Sequence, residues 1–412
     1  MERPTRTPLE VEEESEGDLG ARRMIVNFGP QHPATHGTLR NIIEMDGERI
    51  LRLEAEIGFL HSGFEKISEY RSYNQTVTVS DRMNYMSPLC NNIALAVAVE
   101  EMMGIQVTPR CATIRIILAE LSRIADHILC VGLQAMDLGA FSLMLWAFTE
   151  REKLYDIFEN VTGARLTTSY TRIGGLFRDV PHDFDEQVRR FMESGKKTIS
   201  EMEGMLDENP IFVNRTKGVG AVSGEESISF GLTGPLLRAA GVQYDVRRAR
   251  PYLGYDQYEF EIPTEKEGDV YARYRVRVRE MYESMKIVDQ ALKKLPKGPI
   301  NVSDPRIVLP TKDERNLPEG GMEGLIYHFK NYMHGHGVRP PKGEVYVPTE
   351  APNGELGYYL ISDGTERPYR WRVRPPSFYN YQAFARMSEG GLLSDSVAVL
   401  SSLNIIAGEL DR

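Results

Sequence analysis

The run Ala112 to Leu129 puts apolar side chains around most of the circumference of a helix. A surface helix buries one stripe, so a helix apolar all round has to sit among other helices. Helical periodicity continues around it from about Gly58 to Leu295, with runs at Asn91 to Met103, Phe141 to Val161, Asp183 to Glu208 and Asp269 to Leu295. The expected centre of the chain is a buried helical bundle, and 412 residues suffice for that core and for parts on either side.

Those parts read as β structure. Met24 to Phe28, Thr38 to Met45 and, after the turn Asp46-Gly47, Arg49 to Ile57 are strand-like and predict a small antiparallel sheet. After Pro296 come Pro/Gly-rich loops, a short amphipathic run at Met322 to Tyr332, strand-like runs at Glu344 to Val347 and Gly357 to Ser362 with Asn353-Gly354 between them, and a helix-like Ser394 to Leu403. The fold class is α+β, a central helical bundle flanked by N- and C-terminal antiparallel β parts. The organisation expected is an acidic tail over 1–23, a β-containing part over 24–80, a helical core over 81–300 and an α+β part over 301–412.

Composition removes several functions. A formal net charge of -10 argues against a nucleic-acid binder, which needs a concentrated basic surface. The start, with six acidic residues between Glu10 and Asp18, is neither a signal peptide nor an Arg-rich transit peptide. Ile128 to Phe148 is long enough to span a bilayer, but Asp137 near its middle, with Gly132, Gln134 and Gly139, favours two buried helical pieces meeting near Asp137. Any membrane association then comes through partners. Cys90, Cys111 and Cys130 have no CxxC spacing and read as small buried apolar residues in a reducing compartment.

Three constellations carry polar chemistry. His32 and His36 stand in the loop Gly29 to Gly37, which two prolines hold between strands; Pro33 works against a regular helix, no carboxylate or cysteine is nearby in sequence to complete a metal site, and imidazoles at an ordered tip suit hydrogen bonding or proton transfer to a ligand. Glu120, Arg123 and His127 share one face of the apolar helix and read as a satisfied internal cluster. His334-Gly335-His336 reads as a solvated turn. There is no GxGxxG after a strand, no Walker loop and no nucleophile elbow, so nucleotide binding and acyl transfer lack support.

Beyond these, GPQHPATHGTLR (Gly29 to Arg40), GFLHSGFEK (Gly58 to Lys66), SDRMNY (Ser80 to Tyr85), RIILAELSRIADH (Arg115 to His127), MDLGA (Met136 to Ala140), YTRIGG (Tyr170 to Gly175), LTGPLLRAAGVQYDVRRARPY (Leu232 to Tyr252), GEVYVPTEAPNGELGYYLISDG (Gly343 to Gly364) and the final GELDR occur in this order. They resemble the D-type subunit family of respiratory complex I from about Met24 to Arg412. That family is similar in turn to the large subunit of nickel-iron hydrogenases, whose metals are held by two CxxC pairs. The matching positions here are Asn84 and Ser87, and the stretch Asn404 to Ala407, so no thiolate remains to hold such a centre.

The resemblance implies a hydrogenase-large-subunit-like fold and a quinone-binding core subunit of the peripheral arm of a proton-pumping NADH:quinone oxidoreductase, inactive alone. It would sit on the cytoplasmic face of the bacterial inner membrane, bind no cofactor itself, and take electrons from a four-iron four-sulfur cluster held by the B-type subunit, with C-, H- and I-type subunits as further partners. His36 and Tyr85 would hydrogen-bond the quinone headgroup, Asp137 would back His36, Arg82 would lie near the cluster and His32 would shape the loop. Read alone, Tyr85 is equally a core tyrosine, Asp137 a helix-end carboxylate and His36 a turn former. Thr167 stands where many members have a histidine thought to couple the cluster's potential to pH, and Ser62 where mitochondrial members have a methylatable arginine. The alternatives are a ferredoxin-driven quinone-reducing relative, a nickel-iron hydrogenase large subunit, which the missing thiolates oppose, and a structural scaffold.

Overall fold

The computed structural model describes residues 23–304 and 337–412, with positions 306, 307, 322, 326, 329 and 333 between them. The acidic tail, the His334-Gly335-His336 turn and most of the run Met322 to Tyr332 lie outside the described residues.

The chain begins with an antiparallel sheet of β1 (Arg23–Phe28), β2 (Arg40–Asp46) and β3 (Arg49–Glu56) in the order β1-β2-β3. Then come α1 (Phe64–Glu69), α2 (Tyr73–Met83) and α3 (Pro88–Met103), followed by α4 (Pro109–Asp137) and α5 (Phe141–Thr162). The short pair β4 (Thr171–Arg172) and β5 (Gly175–Leu176) leads into α6 (Phe184–Asp207). Four short helices, α7 (Pro210–Thr216), α8 (Gly224–Ser229), α9 (Pro235–Ala239) and α10 (Val246–Ala249), precede the long α11 (Val270–Lys293). A second antiparallel sheet, β6 (Gly343–Ala351), β7 (Gly354–Ser362) and β8 (Arg370–Arg374), is followed by α12 (Pro376–Gln382), α13 (Phe384–Ser388), α14 (Leu393–Leu403) and α15 (Ala407–Asp411).

The central helix is α4, 29 residues long, started by Pro109 with Thr108 Oγ1 accepting from Cys111 N–H. Nearly every residue from Ile114 to Val131 is buried, against α3, α5, α11 and α14. Full burial explains the apolar circumference. It also leaves the polar residues of this helix in need of partners, and the charged ones find them: Arg115 forks onto Glu100 at 2.7 and 2.8 Å, and Glu120 accepts from Arg123, Arg247, Tyr255 and Ser284. His127 pairs with Glu280 at 2.8 Å. Glu120, Arg123 and His127 thus form an internal cluster, as their spacing suggested, with only Arg123 Nη1 and His127 Nδ1 left without a hydrogen bond.

The apolar run Ile128 to Phe148 divides as expected, α4 ending at Asp137 and α5 beginning at Phe141, with Gly139 at φ 97 carrying the turn. No helix among the described residues is long and apolar enough to cross a membrane. The β6–β7 hairpin also forms, Ala351 facing Gly354 across Pro352-Asn353. Sequence periodicity did not resolve the pieces before α3, where α1 and α2 are short helices, or the five-residue strand β8. All three cysteines are buried and free, and burial pushes the Cys90 thiol up to about 12 and those of Cys111 and Cys130 to about 11, so they act as small apolar residues and not as thiolates.

Candidate functional site

The loop after β1 is shaped locally. His32 precedes a single 3-10 turn at Pro33–Thr35 and its Nδ1 accepts from Ala34 N–H at 3.2 Å, while its ring lies 4.5 Å from that of Phe28. The Thr35 hydroxyl lies 2.6 Å from His32 O and 2.7 Å from Gly37 O, between the two sides of the loop. His36 then closes the turn in the left-handed region at φ 52, a conformation in which histidine is enriched when locally held.

That turn aims His36 at the end of α4. Its Nε2 lies 2.9 Å from Asp137 Oδ2, with the two side chains 16% and 5% exposed. Neither atom is aligned for a hydrogen bond, so the contact is a charge contact whose strength depends on the imidazole carrying a proton.

The remaining wall comes from both ends of the chain. The segment after α2 carries Asn84, Tyr85 and Ser87, with Asn84 Oδ1 accepting from the N–H groups of Met86 and Ser87 at 3.2 and 3.1 Å. Against it lies α15. A Cβ on Gly408 would stand 2.8 Å from Met83 O, 2.9 Å from Arg82 O and 3.5 Å from Tyr85 Cε1, and a Cβ on Gly37 would meet Ala407 Cβ at 3.1 Å. Ala407-Gly408 is thus wedged between the His36 loop and the Tyr85 segment, which the glycine at 408 permits, while a Cβ at 37 would press on Ala407.

Tyr85 is half-buried, and burial pushes its phenol above the ordinary value, which keeps the hydroxyl a donor. That hydroxyl makes no hydrogen bond to any described residue. Arg82, near the end of α2, is exposed and its guanidinium donates to Thr78 O. His36, with Asp137, and Tyr85 are therefore set on the two sides of the C-terminal helix, and His32 supports the loop.

The same place gathers Asn84 and Ser87 with the stretch Asn404 to Ala407, which the sequence resemblance matched to hydrogenase cysteine pairs. Asn84 and Ser87 are fully buried, and the Asn404 side chain donates to Asp126 Oδ1 at 2.6 Å and to Asn353 Oδ1 at 3.0 Å. These amides and hydroxyls do not suit nickel or iron, which need soft thiolates there. Among the described residues no three His, Cys, Asp or Glu side chains gather as a metal site.

Two residues within quoted motifs were not singled out by sequence reasoning. Asp81, beside Arg82, is buried and accepts from Ser169 N–H at 2.9 Å and from the Ser169 hydroxyl, and burial pushes its carboxyl up to about 6 against those bonds. Glu409, in the final GELDR, is completely buried beside Ser377. An acid inside a segment otherwise destined for the core was the available signal for both.

The family model described as Respiratory-chain NADH dehydrogenase, 49 Kd subunit, matches residues 137–412. The D-type subunit of NADH-quinone oxidoreductase from Trichlorobacter lovleyi is 48% identical over 389 residues, covering 94% of this chain and 98% of the relative. The proteins of the same name from Leptospira biflexa and Thermus thermophilus are 48% and 47% identical, the latter over 405 residues and 98% of each chain. With the ordered motifs, the α+β architecture and near full-length identity all in agreement, the chain belongs to the D-type subunit family of NADH-quinone oxidoreductase and is a subunit of that respiratory oxidoreductase.

Proposed function

We propose that this chain provides the quinone-reduction wall of the complex, with His36 and Tyr85 as donors to the two carbonyl oxygens of the headgroup and Asp137 as the counter-charge behind His36. The observation that carries the reading is the half-buried Tyr85 hydroxyl, which has no hydrogen-bond partner among the described residues, set with the His36–Asp137 contact on the two sides of Ala407-Gly408. Neither bonded to the protein nor sealed off from solvent, that hydroxyl is available to donate to a ligand.

Quinone reduction takes up two electrons and two protons. Negative charge develops on the carbonyl oxygens, and donors held in place stabilise it without reorganising. A protonated His36 is attracted to the Asp137 carboxylate 2.9 Å away, and the attraction ends when it passes its proton on. Tyr85, kept protonated by burial, is the second donor.

On this reading the chain binds no redox cofactor itself. Electrons come from a four-iron four-sulfur cluster on an adjoining B-type subunit, with Arg82 at that surface as a fixed positive charge. C-, H- and I-type subunits complete the surroundings, the H-type one linking the chain to the cytoplasmic face of the inner membrane, where quinone reduction drives proton pumping.

The test is Tyr85→Phe in the intact complex, which removes the hydroxyl and keeps the ring. Quinone reduction is expected to fall by about 10²–10³-fold, while NADH oxidation by an artificial acceptor upstream persists. Unchanged quinone turnover removes Tyr85 from the site.

A further inference from the structure

We propose that the cavity between α1, α2 and β4 is a carboxylate site, in which Arg71 and Arg172 hold an acidic side chain of an adjoining subunit of the complex. Only the identity of that subunit rests on the reading above, which sets the cluster-bearing chain against the Arg82 surface.

The cavity has a volume of about 350 Å3, and its wall carries two guanidiniums, those of Arg71 ahead of α2 and Arg172 of β4, with no carboxylate among the described residues that line it. The chain as a whole has a formal net charge of -10, so this wall inverts the sign of its surroundings. Two like charges at one cavity repel, and an anion between them relieves the repulsion.

The acids of the neighbouring helices are engaged elsewhere. Glu69 of α1 holds Lys66 at 2.7 Å and Arg370 at 2.8 Å, Glu65 accepts from Val373 N–H at 3.0 Å, and Asp81 of α2 accepts from Ser169 N–H at 2.9 Å. Arg71 is exposed, and its side chain has no hydrogen bond or ion pair among the described residues. Arg172 donates from Nη1 to the carbonyls of Ser169 and Thr171 and lies 5.3 Å from the centre of the Phe177 ring. Those contacts fix the guanidinium and leave its charge unmatched, with Nε and Nη2 still to donate. Asn74 adds a third group: it is 6% exposed, it lines the same cavity, and neither Nδ2 nor Oδ1 has a hydrogen bond. A buried amide left so is costly, and a carboxylate in the cavity gives Nδ2 the acceptor it lacks.

Size and lining choose among anions. Ligand pockets run from about 300 to 1,000 Å3, so this one is small and takes a side chain more readily than a nucleotide. Ile67, Val77 and Val79 supply an apolar wall for the methylenes of Asp or Glu, while a guanidinium fork takes the carboxylate itself. A free inorganic ion makes no use of that wall. At the rim, Ile67 is 41% and Tyr70 65% exposed, and aromatic and arginine residues together at an open surface are the pattern of a face that another protein covers. Thr78, whose carbonyl oxygen accepts from Arg82, also lines the cavity, which therefore opens beside the surface assigned to the cluster-bearing subunit.

The test is carbodiimide cross-linking of the intact complex carrying Arg71→Lys, which keeps the positive charge and supplies an amine. The reagent joins an amine to a carboxylate in contact with it, and Lys66 with Glu69, 2.7 Å apart, is the internal control. Peptide mass spectrometry should find position 71 joined to an Asp or Glu of another subunit, and Arg172→Lys should give a link to the same acid. In the parent complex Arg71 should resist phenylglyoxal until that subunit is stripped away, and Arg71→Glu should release the subunit at a lower salt concentration than the parent. If the control link forms while neither lysine joins another chain, or both join acids of this chain only, the proposal is overturned. An Arg71 that reacts readily in the parent complex overturns it too, with no variant needed. Protection of Arg71 there by added inorganic phosphate would make the cavity a free-anion site and end the assignment to a partner's side chain. A link to a subunit other than the cluster-bearing one upholds the carboxylate site and defeats the placement of that subunit at this face.

Discussion

His36 and Asp137, a hundred and one positions apart, meet at 2.9 Å without the alignment of a hydrogen bond. Their coupling is therefore charge, and it exists in full only when the imidazole is protonated. Asp137→Asn keeps the shape of the helix end and removes the charge. Quinone reduction should drop on the order of tenfold to a hundredfold, with electron transfer to an upstream artificial acceptor retained. Equal activity in steady-state assays of the two complexes would mean that the contact plays no part in turnover.

A second expectation concerns stability. Burial pushes Glu120 up, but the Arg123 and Arg247 guanidiniums and the hydroxyls of Ser284 and Tyr255 outweigh it and hold the carboxyl down at about 2. Glu120→Ala strips the counter-charge from two buried arginines and should cost about 3–5 kcal/mol. Because the folded-state value lies below the ordinary one, Glu120 contributes fully above about pH 4.5, and the contribution is lost as pH falls towards 2. Thermal melts of the purified chain across that acid range should show the loss in the parent and a weaker one in Glu120→Gln.

A third follows from Thr167, which is exposed on the loop between α5 and β4, next to Thr168 and Ser169, whose side chains bind Asn92 and Asp81. A threonine there gains no proton when a neighbouring cluster takes up an electron, whereas a histidine does, its pKa being raised by the added negative charge. On the proposed reading of a cluster held by the adjoining subunit, its potential should therefore show a weak pH dependence near neutrality, and Thr167→His should strengthen it. Redox titration by electron paramagnetic resonance at several pH values measures the slope. A full slope in the parent would transfer the role to another group, with Asp81 of α2, which accepts from Ser169 of this loop and is pushed up to about 6, as the candidate.

Much of this was legible in the sequence because it is local. Burial on all sides fixes the apolar circumference of α4, and Asp137 with Gly139 marks its end, whereas its start at Pro109, capped by Thr108, precedes the run read from Ala112. The hairpin of β6 and β7 was visible in Asn353-Gly354. The ordered motifs pointed to His36, Tyr85 and Asp137 together, and the fold sets them around one short helix. What stayed hidden depends on contacts between distant positions. Nothing around Glu409 in sequence says that it lacks a cation, since that follows from which side chains α2, α4 and β7 bring to it. Arg82 and Asp81 are neighbours in sequence, yet one faces solvent and the other the core, a division that helix phase decides.

The buried charges of α4 also bear on how the chain is made. Arg238 holds Glu280 and Glu350, and Arg123 donates to Glu350 O, so the compensation of residues near position 120 waits for a strand more than two hundred positions later. Glu120 and Glu280 pair these guanidiniums before β6 has left the ribosome, but Arg238 still lacks the Glu350 carboxylate and Arg123 the Glu350 carbonyl until then. The network is completed last, by contacts of a range that makes folding slow, and a chain broken before Glu350 should be a more open bundle, exposed to chaperones and proteases.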